Sequence, residues 1–136
     1  MTDGKSNCCL IAWQANKIKR VVRSTIAAEC ESLQEGLESA VFYRKFLEEM
    51  TEIQFPVIAY ADNKCVIESL KSTKLVHDKR LRIDIAAVSE SLKTGEITEI
   101  RWCAGKKQLA NCMTKRGASG LELLDVFHQV KFCSDI

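Results

Sequence analysis

Three carboxylates stand out by the residues around them. Asp62 follows Phe55-Pro56-Val57-Ile58-Ala59-Tyr60-Ala61, a β-prone run with no charged side chain before the aspartate. Strands that are apolar throughout belong inside a sheet covered on both faces, and ligand sites of open α/β sheets gather at the carboxyl ends of such strands. Asp62 is therefore a candidate acidic site, while an Asp-Asn pair ahead of a helix also fits plain capping. Glu29 falls on the shoulder of an apolar helical stripe, where a carboxylate at the rim of a core calls for a partner or a metal. The alternative is an ordinary first-turn acidic residue. Glu31 points to solvent on the same helical wheel. Asp84 interrupts the apolar stretch Leu81–Val88 behind Lys79, Arg80 and Arg82, which suits a salt bridge or a cap better than a metal ligand.

The basic residues are grouped. Lys17, Lys19, Arg20 and Arg23 form one set and Lys71, Lys74, Lys79, Arg80 and Arg82 a second. Arg101, Lys106, Lys107, Lys115 and Arg116 form a third, with no acidic residue among them. Such segregation makes phosphate-binding strips or simply solvates loops. Trp13 and Trp102 read as core or core-edge residues rather than base-stacking platforms. The seven cysteines, at 8, 9, 30, 65, 103, 112 and 133, are odd in number and contain no CxxC pair. Neither His77 nor His128 lies close to a cysteine pair. A disulfide framework and a thiolate metal site are both poor fits, and small apolar packing residues in a reducing compartment are expected. The opening MTDGKSNCC has no secretory pattern and no apolar run is long enough to span a bilayer, so an intracellular protein, cytoplasmic or nuclear, is expected.

These residues need elements to position them. At 136 residues the chain has room for one domain, and with 46% hydrophobic and 28% charged residues the disordered, collagen and membrane classes are poor fits. A net charge of +2 neither demands nor excludes a polyanionic partner. Cys8 to Val22 reads as a bent strand or tight hairpin, from the alternation in Lys17-Ile18-Lys19-Arg20-Val21. Ile26, Cys30, Leu33, Leu37, Ala40 and Val41 mark one face of a long helix over Thr25 to Met50, capped by Ser24 or Thr25. The strand ending at Ala61 precedes a short helix over Lys64 to Leu70, and 71–80 reads as a loop. Leu81 to Leu92 is a helix stopped by Gly95. A strand over Ile97 to Cys103, a helix near Leu109 and an amphipathic helix over 119–132 complete the order. Helices alternating with apolar strands predict an α/β layered fold with some parallel pairing.

Four segments in order carry a resemblance: Lys19–Glu29 (KRVVRSTIAAE), Ala59–Asn63 (AYADN), Lys79–Ile85 (KRLRIDI) and Gln108–Lys115 (QLANCMTK). Together they resemble the ribonuclease H domain of copia-type retrotransposon Pol polyproteins, over roughly residues 6–128. The resemblance implies a ribonuclease H-like mixed sheet with flanking helices. It implies cleavage of the RNA strand of RNA–DNA hybrids with two Mg²⁺ ions, beside the reverse transcriptase domain of the parent polyprotein. Hard carboxylate oxygens suit Mg²⁺, and two such ions can activate a water and stabilise a leaving oxygen.

Residue by residue, the family's helix glutamate matches Glu29 and its strand-end aspartate matches Asp62. Its last aspartate, in L-A-D-x-x-T-K, matches Asn111, a neutral amide. Its first aspartate, on an opening strand, has no match here, and Asp3 in TDGK does not fit it. Asp84 matches the family's I-D-I motif. Arg23, Lys79, Arg80, Lys106 and Lys107 are the residues expected to contact nucleic acid. The resemblance thus implies a truncated domain that lacks the opening strands, binds Mg²⁺ weakly or not at all, and does not cleave as this chain. Two other readings stand beside it. One is a non-catalytic nucleic-acid or protein interaction module. The other is a small phosphate-binding α/β regulatory domain with Asp62 as its acidic site.

Overall fold

A computed structural model of the chain describes residues 11–72, 77–105, 110, 113, 117, 120, 121 and 124. Two compact units divide it: Ile18–Trp102, and Met1–Lys17 together with Cys103–Ile136.

The first unit holds α1 (Thr25–Thr51), β1 (Ile58–Ala61), α2 (Lys64–Lys71), α3 (Lys79–Thr94) and β2 (Glu99–Trp102). Mixed helix and strand with parallel pairing is the α/β class that the sequence predicts. Each helix begins where a short polar side chain can accept from orphan amides. Ser24 Oγ accepts from Ala27 N–H at 3.1 Å, as the sequence suggests. Asn63 Oδ1 accepts from Cys65 and Val66 N–H, and Asp78 Oδ1 from Arg80 and Leu81 N–H. The last cap starts α3 two residues earlier than apolar spacing alone predicts. Gly95 ends α3 with φ of 80°, a left-handed conformation that costs glycine nothing and a β-carbon about 1 kcal/mol.

Among the described residues the sheet is β1 paired in parallel with β2, Ile58 opposite Glu99 and Ala61 opposite Trp102. A parallel pair needs a crossover, supplied here by α2 and α3. The strand expected from Phe55 is shorter, because Pro56 has no N–H to donate to a ladder. Instead Val57 enters the pair irregularly: its carbonyl accepts from Thr98 and Glu99 N–H, and its own N–H donates to Thr98 Oγ1. Half-burial of Ala59, Tyr60 and Ala61 also corrects the expectation of a strand fully covered on both faces.

The α1 stripe packs as its spacing requires. Leu37, Val57, Val88 and Ile97 form one buried cluster, bordered by Leu33, Ala40 and Val41. Ala27, Cys30 and Leu81 form another, bordered by Val22, Ile26 and Ile85. Arg44 of α1 donates to the Glu96 carbonyl, fastening the helix to the turn before β2.

Residues 11–22 contain no strand, against the expected bent strand or hairpin. The period of two nevertheless survives from Ile18. Ile18, Arg20 and Val22 are half-buried while Lys19, Val21 and Arg23 are exposed. This extended segment is attached through its side chains, Arg20 above all, rather than by a hydrogen-bond ladder. In the second unit, residues 11–17 have no regular structure. The helices expected near Leu109 and over 119–132 fall largely outside the described residues. Among the described residues no helix is long and apolar enough to cross a membrane.

Candidate functional site

The carboxyl edge of the parallel pair carries Asp62. It follows β1 directly, is half-buried, and stands next to Asn63, which serves as the N-cap of α2. The capping alternative for this Asp-Asn pair is therefore met by the asparagine, whose amide oxygen serves two backbone donors. The backbone carbonyl of Asp62 accepts from Trp102 Nε1–H at 3.1 Å. That bond follows from register: Trp102 lies opposite Ala61, so its indole reaches the next carbonyl along. Lys64, the first residue of α2, places its ammonium 4.4 Å from the Trp102 ring centroid.

Trp102 and Trp13 are exposed, at 39% and 67%, which corrects the expectation of core or core-edge positions. For Trp102 the reason is its place as the last residue of β2. The half-buried member of the Ile100–Trp102 face is Ile100. Lys64 was not among the expected site residues. Its signal was its place one residue beyond the Asp-Asn pair at the strand end.

Glu29 lies on α1 past the first turn and is exposed, so it is not a first-turn acidic residue. Its neighbour Glu31 is the one drawn inward, contrary to the helical-wheel reading. Ala27 is buried against Leu81 at the start of α1, and Glu31 lies one turn beyond Ala27 on the same face. Arg20 completes the arrangement. Its Nε–H donates to Glu31 Oε2 at 2.5 Å and its Nη2–H to Asp84 Oδ2. The salt bridge favoured for Asp84 is present, and this aspartate is a buried charged residue of α3. Hydrogen bonding to Asp84 and then to Glu31 raises the guanidinium's already high value. Beneath them Cys30 is fully buried, and burial first, the Asp84 charge second, push its thiol up to about 11.

Of the expected nucleic-acid contacts, Arg23, Lys79 and Arg80 are exposed. Lys79 and Arg80 open α3, the end at which the helix dipole disfavours cations. The first basic group loses Arg20 to its two carboxylates. The third loses part of its uniform charge, because Arg101 Nη2 pairs with Glu99 at 2.8 Å. Lys106, Lys107 and Asn111 lie outside the described residues.

The donors implied for Mg²⁺ are thus Glu29 and Asp62 among the described residues. Both supply oxygen, the donor this cation prefers. No group of three Cys, His, Asp or Glu side chains that could hold a metal ion occurs among the described residues. No protein-family model, curated protein or solved structure matches the chain.

Proposed function

We propose that these residues form part of a ribonuclease H-like domain of copia type, which binds RNA–DNA hybrid but does not hydrolyse it as this chain. The observation that carries the reading is Asp62. It is an acidic residue at the carboxyl end of a strand in a parallel pair, beside an asparagine that supplies the helix cap in its stead. This is the position at which α/β sheets hold phosphate-directed chemistry. Lys79 and Arg80 support it: both are exposed in the first turn of α3, where the helix dipole disfavours cations and a bound phosphate would offset that cost.

In this reading the exposed Arg23, Lys79 and Arg80 contact the phosphate backbone, with Lys106 and Lys107 as further contacts. Glu29 and Asp62 would supply oxygens to Mg²⁺, which when bound offsets charge at the attacking and leaving oxygens. Asn111 at the family's last acidic position adds no negative charge, and the opening-strand aspartate is not among these residues. Half the acidic set is a weak holder of two cations, so binding without cleavage follows.

The test is fluorescence anisotropy with a labelled blunt RNA–DNA hybrid across a salt series, run beside a cleavage assay in Mg²⁺. Affinity should fall steeply between about 50 and 200 mM salt and should not depend on sequence. Lys79→Glu with Arg80→Glu should weaken it. Absence of binding at low salt overturns the reading. Mg²⁺-dependent release of RNA fragments by the 136-residue chain overturns its non-cleaving part.

A further inference from the structure

We propose that Trp102 and Lys64 form a stacking site for an unpaired nucleotide, so that the chain binds single-stranded nucleic acid at the carboxyl edge of its sheet. The inference does not depend on the preceding reading. Trp102 is an exposed indole with its one polar group already used, since Nε1–H donates to the Asp62 carbonyl at 3.1 Å. What remains for a ligand is the ring itself, one face of which lies under the Lys64 ammonium. The same bond, together with the β1–β2 register, holds the ring at a fixed place, so little freedom is lost when a flat partner stacks on it.

Lys64 supplies the second half. Its ammonium lies over the ring, 4.4 Å from the centroid, so a base takes the opposite face or displaces the ammonium toward its own phosphate. A flat π surface with a mobile cation over it matches a nucleotide, whose base stacks on the ring while its phosphate meets the ammonium. The end of α2 is not itself the anion site, because Asn63 satisfies the Cys65 and Val66 amides. An acidic peptide would use the ammonium and leave the indole face unfilled. A duplex keeps its base faces inside its own stack, so only an unpaired base can use this one. Every base has a π face, so the site discriminates little by sequence.

The experiment uses the full chain carrying Trp13→Phe, which leaves Trp102 as the single tryptophan. Titration with a short oligothymidylate should quench its fluorescence to saturation. Trp102→Leu should weaken oligothymidylate binding, read by anisotropy of a labelled strand, by about five- to a hundredfold. Lys64→Ala should weaken it less and flatten the log–log salt slope by about 0.7. Trp102→Phe keeps a ring face without the indole N–H and should fall between the native chain and Trp102→Leu. Circular dichroism establishes that each variant is folded. If Trp102→Leu does not fold, the quenching titration and Lys64→Ala decide. An unquenched Trp102, or Lys64→Ala and Trp102→Leu chains that bind as the native one does, overturns the proposal. A blunt RNA–DNA hybrid on the same variants separates the two readings. Hybrid binding lost with Lys79→Glu/Arg80→Glu but insensitive to Trp102→Leu belongs to the domain reading. Quenching by the single strand without any hybrid binding leaves the stacking site standing alone.

Discussion

Two charged regions of the Ile18–Trp102 unit use their charges in different ways. Around Arg20 the charges are turned inward: one guanidinium joins Glu31 of α1 to Asp84 of α3, over the buried Ala27, Cys30 and Leu81. At the carboxyl edge of β1 and β2 they are turned outward: Lys64 rides on an exposed indole. The first arrangement links a segment without regular structure to two helices, and its members are worth most to the fold. The second is anchored by the Asn63 side-chain oxygen on two α2 amides and by the Asp62 carbonyl, so Lys64 can be changed at small cost to stability. Charge that holds a fold together and charge available to a ligand are therefore separable here by mutation.

The inward cluster should give the largest effect. Asp84→Ala leaves Arg20 without its α3 partner and opens space beside Leu81. Removing one member of a buried pair costs about 3–5 kcal/mol. Arg20 keeps 30% of its side chain exposed, so solvent screens part of the interaction and a loss of about 2 kcal/mol is expected in urea unfolding. The paired replacement Arg20→Met with Asp84→Leu should cost less than Asp84→Ala alone, because neither charge is then left behind. Equal losses for the single and the paired change would mean that the ion pair does not hold the segment to the helices.

Cys30 sharpens the same region. Its thiol is pushed from 9.0 up to about 11, chiefly by burial. A folded value above the unfolded one means that the neutral thiol's contribution is fully present below about pH 9 and is lost as pH rises toward about 11. The native chain should lose on the order of 2 kcal/mol across that window more than Cys30→Ala does. Parallel stability curves for the two chains would show that the thiol is not buried in the folded state.

What was legible in the sequence followed local rules. Ile26, Cys30, Leu33 and Leu37 repeat at helical steps, Ser24 and Gly95 mark helix ends, and the apolar run before Asp62 marks a strand end. Asp84 also announced a partner by interrupting an apolar stretch. The identity of that partner was not legible, because Arg20 is 64 residues away and nothing periodic connects the two. The Glu29–Glu31 exchange has a related cause. The α1 stripe taken over its whole length favours Glu29 as the inner residue. The contact of Ala27 with Leu81 turns the first turns toward Glu31, and that contact belongs to tertiary packing. Trp102 was misplaced by reading alternation without the strand's end. As the last residue of β2 it has no following strand residue to help cover it. The proposed ribonuclease H-like reading rests on Glu29 and Asp62, and Asn111 lies outside the described residues.

At the outward region the Asn63 cap outweighs the Lys64 side chain that follows it. Asn63→Ala removes the oxygen that two α2 amides share and should cost about 1 kcal/mol by thermal or urea unfolding. Lys64→Ala should change stability by less than about 0.5 kcal/mol while reducing oligothymidylate binding. A Lys64→Ala chain as destabilised as Asn63→Ala would place the ammonium among the structural residues and erase the contrast between the two regions.

The smallest effect is expected one strand away, where Glu99 and Arg101 pair in open solvent on β2. The Arg101 guanidinium, through its hydrogen bond and then its charge, holds the Glu99 carboxyl below its ordinary value. A carboxyl lowered in the folded state contributes above its unfolded value and loses that contribution as pH falls through the folded one. The Arg20–Asp84 pair has one partner buried, but both members of this pair face water, where ion pairs contribute little and salt screens them. Arg101→Ala should therefore return the Glu99 carboxyl toward its ordinary value in an NMR titration. Its unfolding curve at neutral pH should nearly superimpose on that of the native chain. A marked loss of stability in Arg101→Ala, persisting in high salt, would instead point to its hydrogen bond with Tyr60, the residue opposite it in the β1–β2 register, as the contact that matters.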